Sequence, residues 1–511
     1  MAEKQGITKN LSRKKNVTLS VVIPLIACLI FMVLCMLNLT STIWFDESYS
    51  AYLVRGNFGD IWNMTSLDVH PPLFYFLLKI WSSIFGYTDF SMRFMSIFFG
   101  AIAIIFTFHL LKRWFNIKTA SIATIALSLS PMLIRYGQEM RMYTLVFAIV
   151  VAATYVLDLM LETKKTRYYI LYAVLIALGM WTHYFAAIAW IAHIIYYTVS
   201  KRAKLFSKPM LLTYILAVAL FIPWLPSLFR QIIEVQSGFW IPSISMATPV
   251  SYMTEALMFS EAEYATGWLV LLCLGATILT TYFLRKIYVT QNKVERSKFW
   301  LLISIIAIPP IILIILSLPP LTSMFIDRYI LYSAALIWTL IGMAIAFAFS
   351  KKWLKNSTVF QKLLAIVLFI SVAGCAITGI VNVENRKTEG FVKNIVSSTK
   401  LVSEPGIPIL ANNEWNYYDA VFYSSEEHPI YGVDEWMNYQ YGSIFPIKHI
   451  GYNLIDNLDD FMSGHDKIWY ITDLNDSTRN GELDKEVLNN KYRIVTTIAD
   501  DRMVAFELVK K

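Results

Sequence analysis

The chain has 511 residues, of which 57% are hydrophobic and 16% charged, with a formal charge of +8. Soluble domains average roughly 45–50% apolar and roughly 25% charged residues. The composition therefore argues against a soluble enzyme and against a disordered, collagenous or disulfide-built chain. Cys28, Cys35, Cys273 and Cys375 all sit inside long apolar runs, with neither metal-ligand spacing nor the pattern of a disulfide framework.

A helix needs ~20 mostly apolar residues to cross the hydrocarbon layer. Eleven stretches qualify in chain order: about 17–39, 91–111, 118–134, 142–160, 168–184, 186–200, 209–228, 266–284, 299–318, 329–349 and 363–383. The predicted class is thus a polytopic α-helical membrane protein with about 11 transmembrane helices. A basic segment with Lys4, Lys9, Arg13, Lys14 and Lys15 precedes the first span, and no small-residue cleavage pattern stands before "TSTIWFDES". This predicts a retained first span, not a removable signal peptide. The fifth and sixth spans are parted only by a tight break near "THYFAA".

Basic residues alternate along the connections. On the side of the N-terminus the connections hold 24 Lys and Arg; the opposite loops hold seven, Arg55, Lys79, Arg93, Arg135, Arg141, Arg230 and Arg328. By the positive-inside rule the first set faces the cytoplasm. An odd span count then places residues 384–511 outside it. The net charge reads as an orientation signal, not as a nucleic-acid footprint.

Two domains are expected: residues 1–383 in the membrane, including a first outward loop at about 40–90, and a polar, extracytoplasmic domain of 128 residues at 384–511. In the latter, "IPILAN", "KIWYIT", "YRIVTTIA" and "RMVAFELV" read as strands, while "TEGFVKNIVSSTKLV" and "NLIDNLDDFM" read as amphipathic helices. That alternation predicts a small α/β layer with a partly parallel sheet whose last two strands form a hairpin around "DD". "NNEWNYYDAVFY" and "DEWMNYQYG" are dense in rings beside amides and carboxylates. The mixture suits carbohydrate or peptide binding, or packing against the membrane-embedded part. The domain is expected to be non-catalytic and to help place an acceptor.

Reactive side chains concentrate in the outward loops. The first loop opens with "WFDESYSAY", placing Asp46, Glu47 and Tyr49 just beyond the first span, and reaches Asp68 and His70 in "LDVHPPLFYFLLKIW". An acidic pair at a membrane boundary is often a solvated helix end; it is also a proton acceptor for a hydroxyl. "RYGQEMRMY" supplies Arg135, Gln138, Glu139, Arg141 and Tyr143; "FIDRYIL" supplies Asp327 and Arg328; "WTHYF" supplies His183. Outward arginines in apolar surroundings demand partners. They form internal bridges to Glu or Asp, or they grip phosphate with a planar fork that stays ionised.

In order and on one outward face, the acidic pair, "HPPLFYFLL", "YGQEMRMY" and the late "RY" resemble the polyprenyl-phosphate-sugar glycosyltransferases of the GT-C fold. The nearest branch is the bacterial relatives of protein O-mannosyltransferases and aminoarabinose transferases. The resemblance covers roughly residues 15–350. It implies a polyprenyl-phosphate-linked sugar as donor, a hexose such as mannose, and an acceptor glycan, lipid or protein outside the cytoplasm.

Asp46 is then the implied catalytic base, with Glu47 beside it, in an inverting displacement. The sequence departs from aminoarabinose transferases at His70, where that family has lysine, and at Ser48 and Tyr49, where it carries an arginine. Phosphate contacts therefore fall to Arg135, Arg141 and Arg328. Tyr49, Asp68, His70, Gln138, Tyr143 and His183 remain as positioning residues. Glu47, Asp68 and His70 could also hold a divalent metal, although a phosphate already met by arginines has less need of one. The competing classes are a polysaccharide polymerase or ligase and a lipid or glycan transporter.

Overall fold

A computed structural model describes residues 2–37, 39–200, 204, 206–237, 241–260, 267–386, 392–437, 453–474, 492–500 and 502–511. The chain divides into two compact units. Met1–Leu39 and Phe90–Asn385 make the first; Thr40–Asp89 and Arg386–Lys511 make the second. The loop at 40–90, expected with the membrane part, shares its contacts with the C-terminal segment instead. The reason is chemical: the loop's first helix, Phe45–Leu53, packs its rings against Trp415 and Tyr418 of that segment.

The first unit is helical, and every expected span is found as helix. Among the described residues eight helices are long and apolar enough to cross a membrane, and nine if one bent pair counts as a span. That pair, Ile117–Ser128 and Pro131–Gly137, bends by 59°. Pro131 lacks an N–H and disfavours helical backbone in the residue before it. Ser130 takes up extended backbone there, and its hydroxyl accepts from Leu133 N–H at 3.5 Å as the new helix starts. The remaining two expected spans are Thr166–Thr182, with 17 residues, and Ala186–Val199, with 14. Both fall short of the ~20 residues a perpendicular crossing needs, because extended backbone at His183 ends the first.

Close packing and a charge cluster tie the helices together. Helix Leu331–Ala348 lies so near Ile117–Ser128 that a Cβ on Gly342 would stand 2.4 Å from Ala123 Cα. Buried Asp158 receives Arg113 Nε at 2.9 Å and also bonds Lys298, whose ammonium reaches Glu162 at 2.9 Å. A buried carboxylate is tolerable only when paired in this way.

The second unit is built on a six-stranded sheet: β1 Ile409–Ala411, β2 Ile430–Val433, β3 Leu454–Ile455, β4 Lys467–Asp473, β5 Tyr492–Ala499 and β6 Met503–Lys510, in the order β3-β2-β1-β4-β6-β5. β1 pairs in parallel with β2 and β4, with Ile409 opposite Ile430 and Trp469; β6 pairs antiparallel with β4 and β5. β4 is central, which explains its unbroken apolar run. The core of this sheet includes Leu410, Val433, Ile468, Tyr470 and Leu508. "DEWMNYQYG" falls partly outside the described residues. "NNEWNYYDAVFY" is a helix, Glu414–Tyr423, capped by Asn413, whose side-chain oxygen accepts from Asn416 N–H at 2.8 Å.

Candidate active site

The acidic pair heads a short helix, Phe45–Leu53. Carboxylates favour a helix N-terminus because its first N–H groups are unpaired and the backbone dipole is positive there. The two acids occupy different surroundings. Glu47 is only 1% exposed, and its carboxylate reaches back to Trp44 N–H at 3.4 Å as a cap. Asp46 is half-buried, one position earlier in the first turn. Tyr49 is buried, its ring 6.4 Å from Tyr75 and 6.1 Å from Tyr418.

Asp68 closes helix Phe58–Leu67, and its carboxylate stands 3.3 Å from His70 Nδ1, with both residues buried. Arg55 is a clamp: Nη2 donates to Val421 O at 2.8 Å and Nε to the Tyr87 hydroxyl at 3.1 Å.

Helix Glu414–Tyr423 forms the other wall around the acidic pair's helix. Trp415 lies 4.5 Å from the Phe45 ring, and Tyr418 packs edge-on to Phe45, Tyr49 and Tyr52. Buried Asp419 is bonded to the Ser48 hydroxyl at 2.5 Å. Burial pushes the Asp419 carboxyl up to about 8; the Ser48 bond opposes the rise, and the nearby Glu47 and Asp473 add to it. Asp419 was invisible to the sequence reading, since it is 371 positions from Ser48 and lies in a run read for its rings.

The arginines belong to the first unit. Arg135 donates from Nη2 to Glu139 at 2.6 Å, within the short helix and turn that Pro131 starts. Gln138 donates to Cys35 O and to Glu384, each at 3.1 Å. Glu384 is a second partner that no local pattern announces. Arg141 is buried, and its carbonyl accepts from the Ser96 hydroxyl at 3.2 Å. Asp327 and Arg328 form a 3-10 turn in which Arg328 N–H donates to the Asp327 carboxylate at 2.8 Å. Arg135, Glu139, Asp327 and Arg328 all lie near enough to Tyr136 to act on its hydroxyl. The fold thus brings two motifs, almost 200 positions apart in the sequence, to one place.

A ring cluster joins them. Tyr143 packs 5.2 Å from Tyr136, 6.0 Å from His183 and 6.4 Å from Tyr329. His183 Nδ1 accepts from Phe185 N–H at 3.3 Å, so the proton of the neutral ring sits on Nε2.

An apolar cavity of about 420 Å³ opens between helices Thr248–Met258, Gly267–Thr290, Lys293–Leu316 and Leu331–Ala348. Its lining includes Tyr252, Leu257, Leu284, Ile306, Ala307 and Ile341. Tyr252 bonds the Ser333 hydroxyl at 2.7 Å and lies within the electrostatic reach of Asp327. Among the described residues no group of three His, Cys, Asp or Glu side chains could hold a metal ion. Asp68 and His70 alone would supply only two ligands.

Comparison with known proteins now adds to the geometry. Residues 69–226 match the family described as dolichyl-phosphate-mannose-protein mannosyltransferase. No curated protein matches the chain. Among solved structures, ArnT from Cupriavidus metallidurans bound to undecaprenyl phosphate superposes with a TM-score of 0.63 at 12% identity, covering 95% of this chain and 97% of that one. The same protein in its apo state gives 0.64 at 12% identity, over 97% and 98%. The oligosaccharyltransferase of Archaeoglobus fulgidus tethered to an acceptor peptide gives 0.51 at 11% identity, over 95% and 74%.

These likenesses establish a multi-pass membrane protein of the GT-C fold. The family match spans residues 69–226, under a third of the chain.

Proposed function

We propose that the protein moves a sugar from a polyprenyl-phosphate donor to an acceptor outside the cytoplasm. The observation that carries this reading is the apolar cavity lined by Tyr252, whose ring packs 6.0 Å from that of Phe325, three positions before Arg328. An isoprenoid tail needs an apolar slot among helices, and its phosphate needs a fixed cation at the mouth of that slot. Two neighbours in fold support the reading: ArnT holds undecaprenyl phosphate, and the archaeal oligosaccharyltransferase was captured with an acceptor peptide. The family description points to a hexose such as mannose.

The mechanism is a single displacement with inversion. The acceptor oxygen forms the new bond to the anomeric carbon as the bond to phosphate oxygen breaks. Asp46 takes the acceptor proton, and the departing polyprenyl phosphate keeps the bonding pair as an anion held by Arg141 and Arg328. Arg135 is tied to Glu139, which gives it the supporting task of shaping the turn around Gln138 and Arg141. Glu47 caps the base's helix. Tyr49, Asp68, His70, Tyr143 and His183 take the task of positioning donor or acceptor. Trp415, 50% exposed on Phe45, is a platform for the acceptor's apolar face.

The test offers the purified protein a panel of radiolabelled polyprenyl-phosphate sugars. Transfer from at least one, with inverted anomeric configuration, is expected. No transfer and no release of sugar from any member, by protein shown to bind undecaprenyl phosphate, would reject the reading.

A further inference from the structure

Ser48 directly follows the acidic pair, and its hydroxyl has one proton to give. Two good acceptors compete for it: Phe45 O at 2.9 Å and the Asp419 carboxyl at 2.5 Å. Trp44 O, at 3.5 Å, is distant. With Asp419 ionised, the single Ser48 proton serves either the carboxylate or Phe45 O, so one close contact goes unmade beside a buried charge. With Asp419 protonated, its O–H donates to Ser48 Oγ and Ser48 donates to Phe45 O. Both contacts are then satisfied.

The surroundings favour the same form. Asp419 is buried in helix Glu414–Tyr423, next in sequence to Tyr418, whose ring packs against those of Tyr49 and Tyr52. The charges acting on it are carboxylates: Glu47 from the acidic pair's helix and Asp473 from the end of β4. Asp473 is itself held by Asn416 at 2.9 Å and Asn413 at 3.3 Å. From the other packed elements, Lys393 and Lys400 of helix Val392–Val402 reach Tyr423, at the far end of the helix. Tyr431 of β2 packs on Phe461. No cation is among the groups shifting Asp419.

We propose that Asp419 is a positioning residue that locks the Phe45–Leu53 helix, and with it Asp46 and Glu47, through its hydrogen bond to Ser48. The inference rests on the reading of Asp46 as base, and it adds a working range. A carboxyl raised in the folded state contributes its full stability at low pH. That contribution fades as pH rises from the ordinary carboxylate value of 3.8 and is gone above about 8. The lock therefore holds through neutral pH and loosens on the alkaline side, where Ser48 can satisfy only one of its two acceptors and charge on Asp419 meets charge on Glu47.

The experiment uses the full chain in lipid nanodiscs and follows amide hydrogen exchange of residues 45–53, corrected for intrinsic rate, on both sides of pH 8. Wild type should lose about tenfold protection as pH rises through 8, the worth of one buried hydrogen bond. Asp419→Asn keeps a donor and cannot ionise, so its protection should stay flat. Asp419→Ala and Ser48→Ala should be less protected than wild type below pH 8, again by about tenfold. In parallel, wild-type kcat should fall with the same midpoint while donor KM stays constant, and Asp419→Asn should lose that alkaline fall.

An identical alkaline loss of protection in wild type and Asp419→Asn would overturn the proposal. So would unchanged protection in both Ala variants, or exchange that moves while kcat does not. Exchange needs no turnover. A chain that accepts no polyprenyl-phosphate sugar refutes the functional reading, while the exchange arm still decides the lock.

Discussion

At the scale of residues, the two acids of the pair separate by environment. Glu47 is spent on the Trp44 N–H, whereas Asp46 is half-buried in the same turn. Asp46→Asn is therefore expected to lower transfer by about 10²–10⁴-fold while leaving donor binding intact, the usual cost of losing a general base. Near-normal turnover would move the role elsewhere. For the arginines, Arg141→Lys and Arg328→Lys keep charge but lose the planar fork. Undecaprenyl-phosphate affinity should fall for Lys and further for Ala, as titration calorimetry would read. Wild-type affinity in both Ala variants would leave them a structural task only. Asp46, Arg141 and Arg328 could be named from the sequence because each breaks its local pattern: acids just past a span, basic residues on the side that is poor in them. Asp419 and Glu384 break no such pattern. Their meaning lies in Ser48 and Gln138, 371 and 246 positions away.

At the scale of elements, hydropathy found each helix that is long and apolar enough to cross a membrane among the described residues, but not the lengths or bends. A window sees Ser130–Pro131 as apolar continuity, while the missing N–H of proline decides the 59° bend. Close approach is equally silent in sequence. Gly342 sits against the backbone of Ala123, and Gly342→Val should cost ~1–3 kcal/mol through overpacking, seen as a lower Tm with kcat per folded molecule preserved. A Tm equal to wild type would show that the helices part freely there. The cavity makes a prediction of its own. Ala307→Phe places a ring inside it, so KM for long-chain donors should rise several-fold while a short-chain analogue is used as before. Equal effects on both would mean that the tail lies elsewhere.

At the scale of the whole molecule, the second unit changes what truncation tests. Residues 386–511 supply Trp415, Tyr418 and Asp419 to the helix that carries Asp46. A chain ending near 383 should therefore lose transfer even to small surrogate acceptors, although its membrane helices insert. Transfer retained by that chain would show that the acidic pair's helix stands unaided. The basic bias of 24 to seven predicts the orientation: a reporter after Lys511 should be active outside the cytoplasm, and activity only inside would reverse the topology.

What the sequence determined alone was whatever depends on composition within a window: a membrane chain, the places of its helices, a terminal α/β layer and the loops that carry charge. Partitioning into a bilayer and strand alternation are local physics, so a local reading suffices. The tertiary structure decided which loop belongs with which domain, which acid caps and which stands half-buried, and which distant carboxyl touches Ser48. Those outcomes follow from aromatic packing and hydrogen bonds between segments hundreds of residues apart, and such contacts leave no periodic trace in either segment.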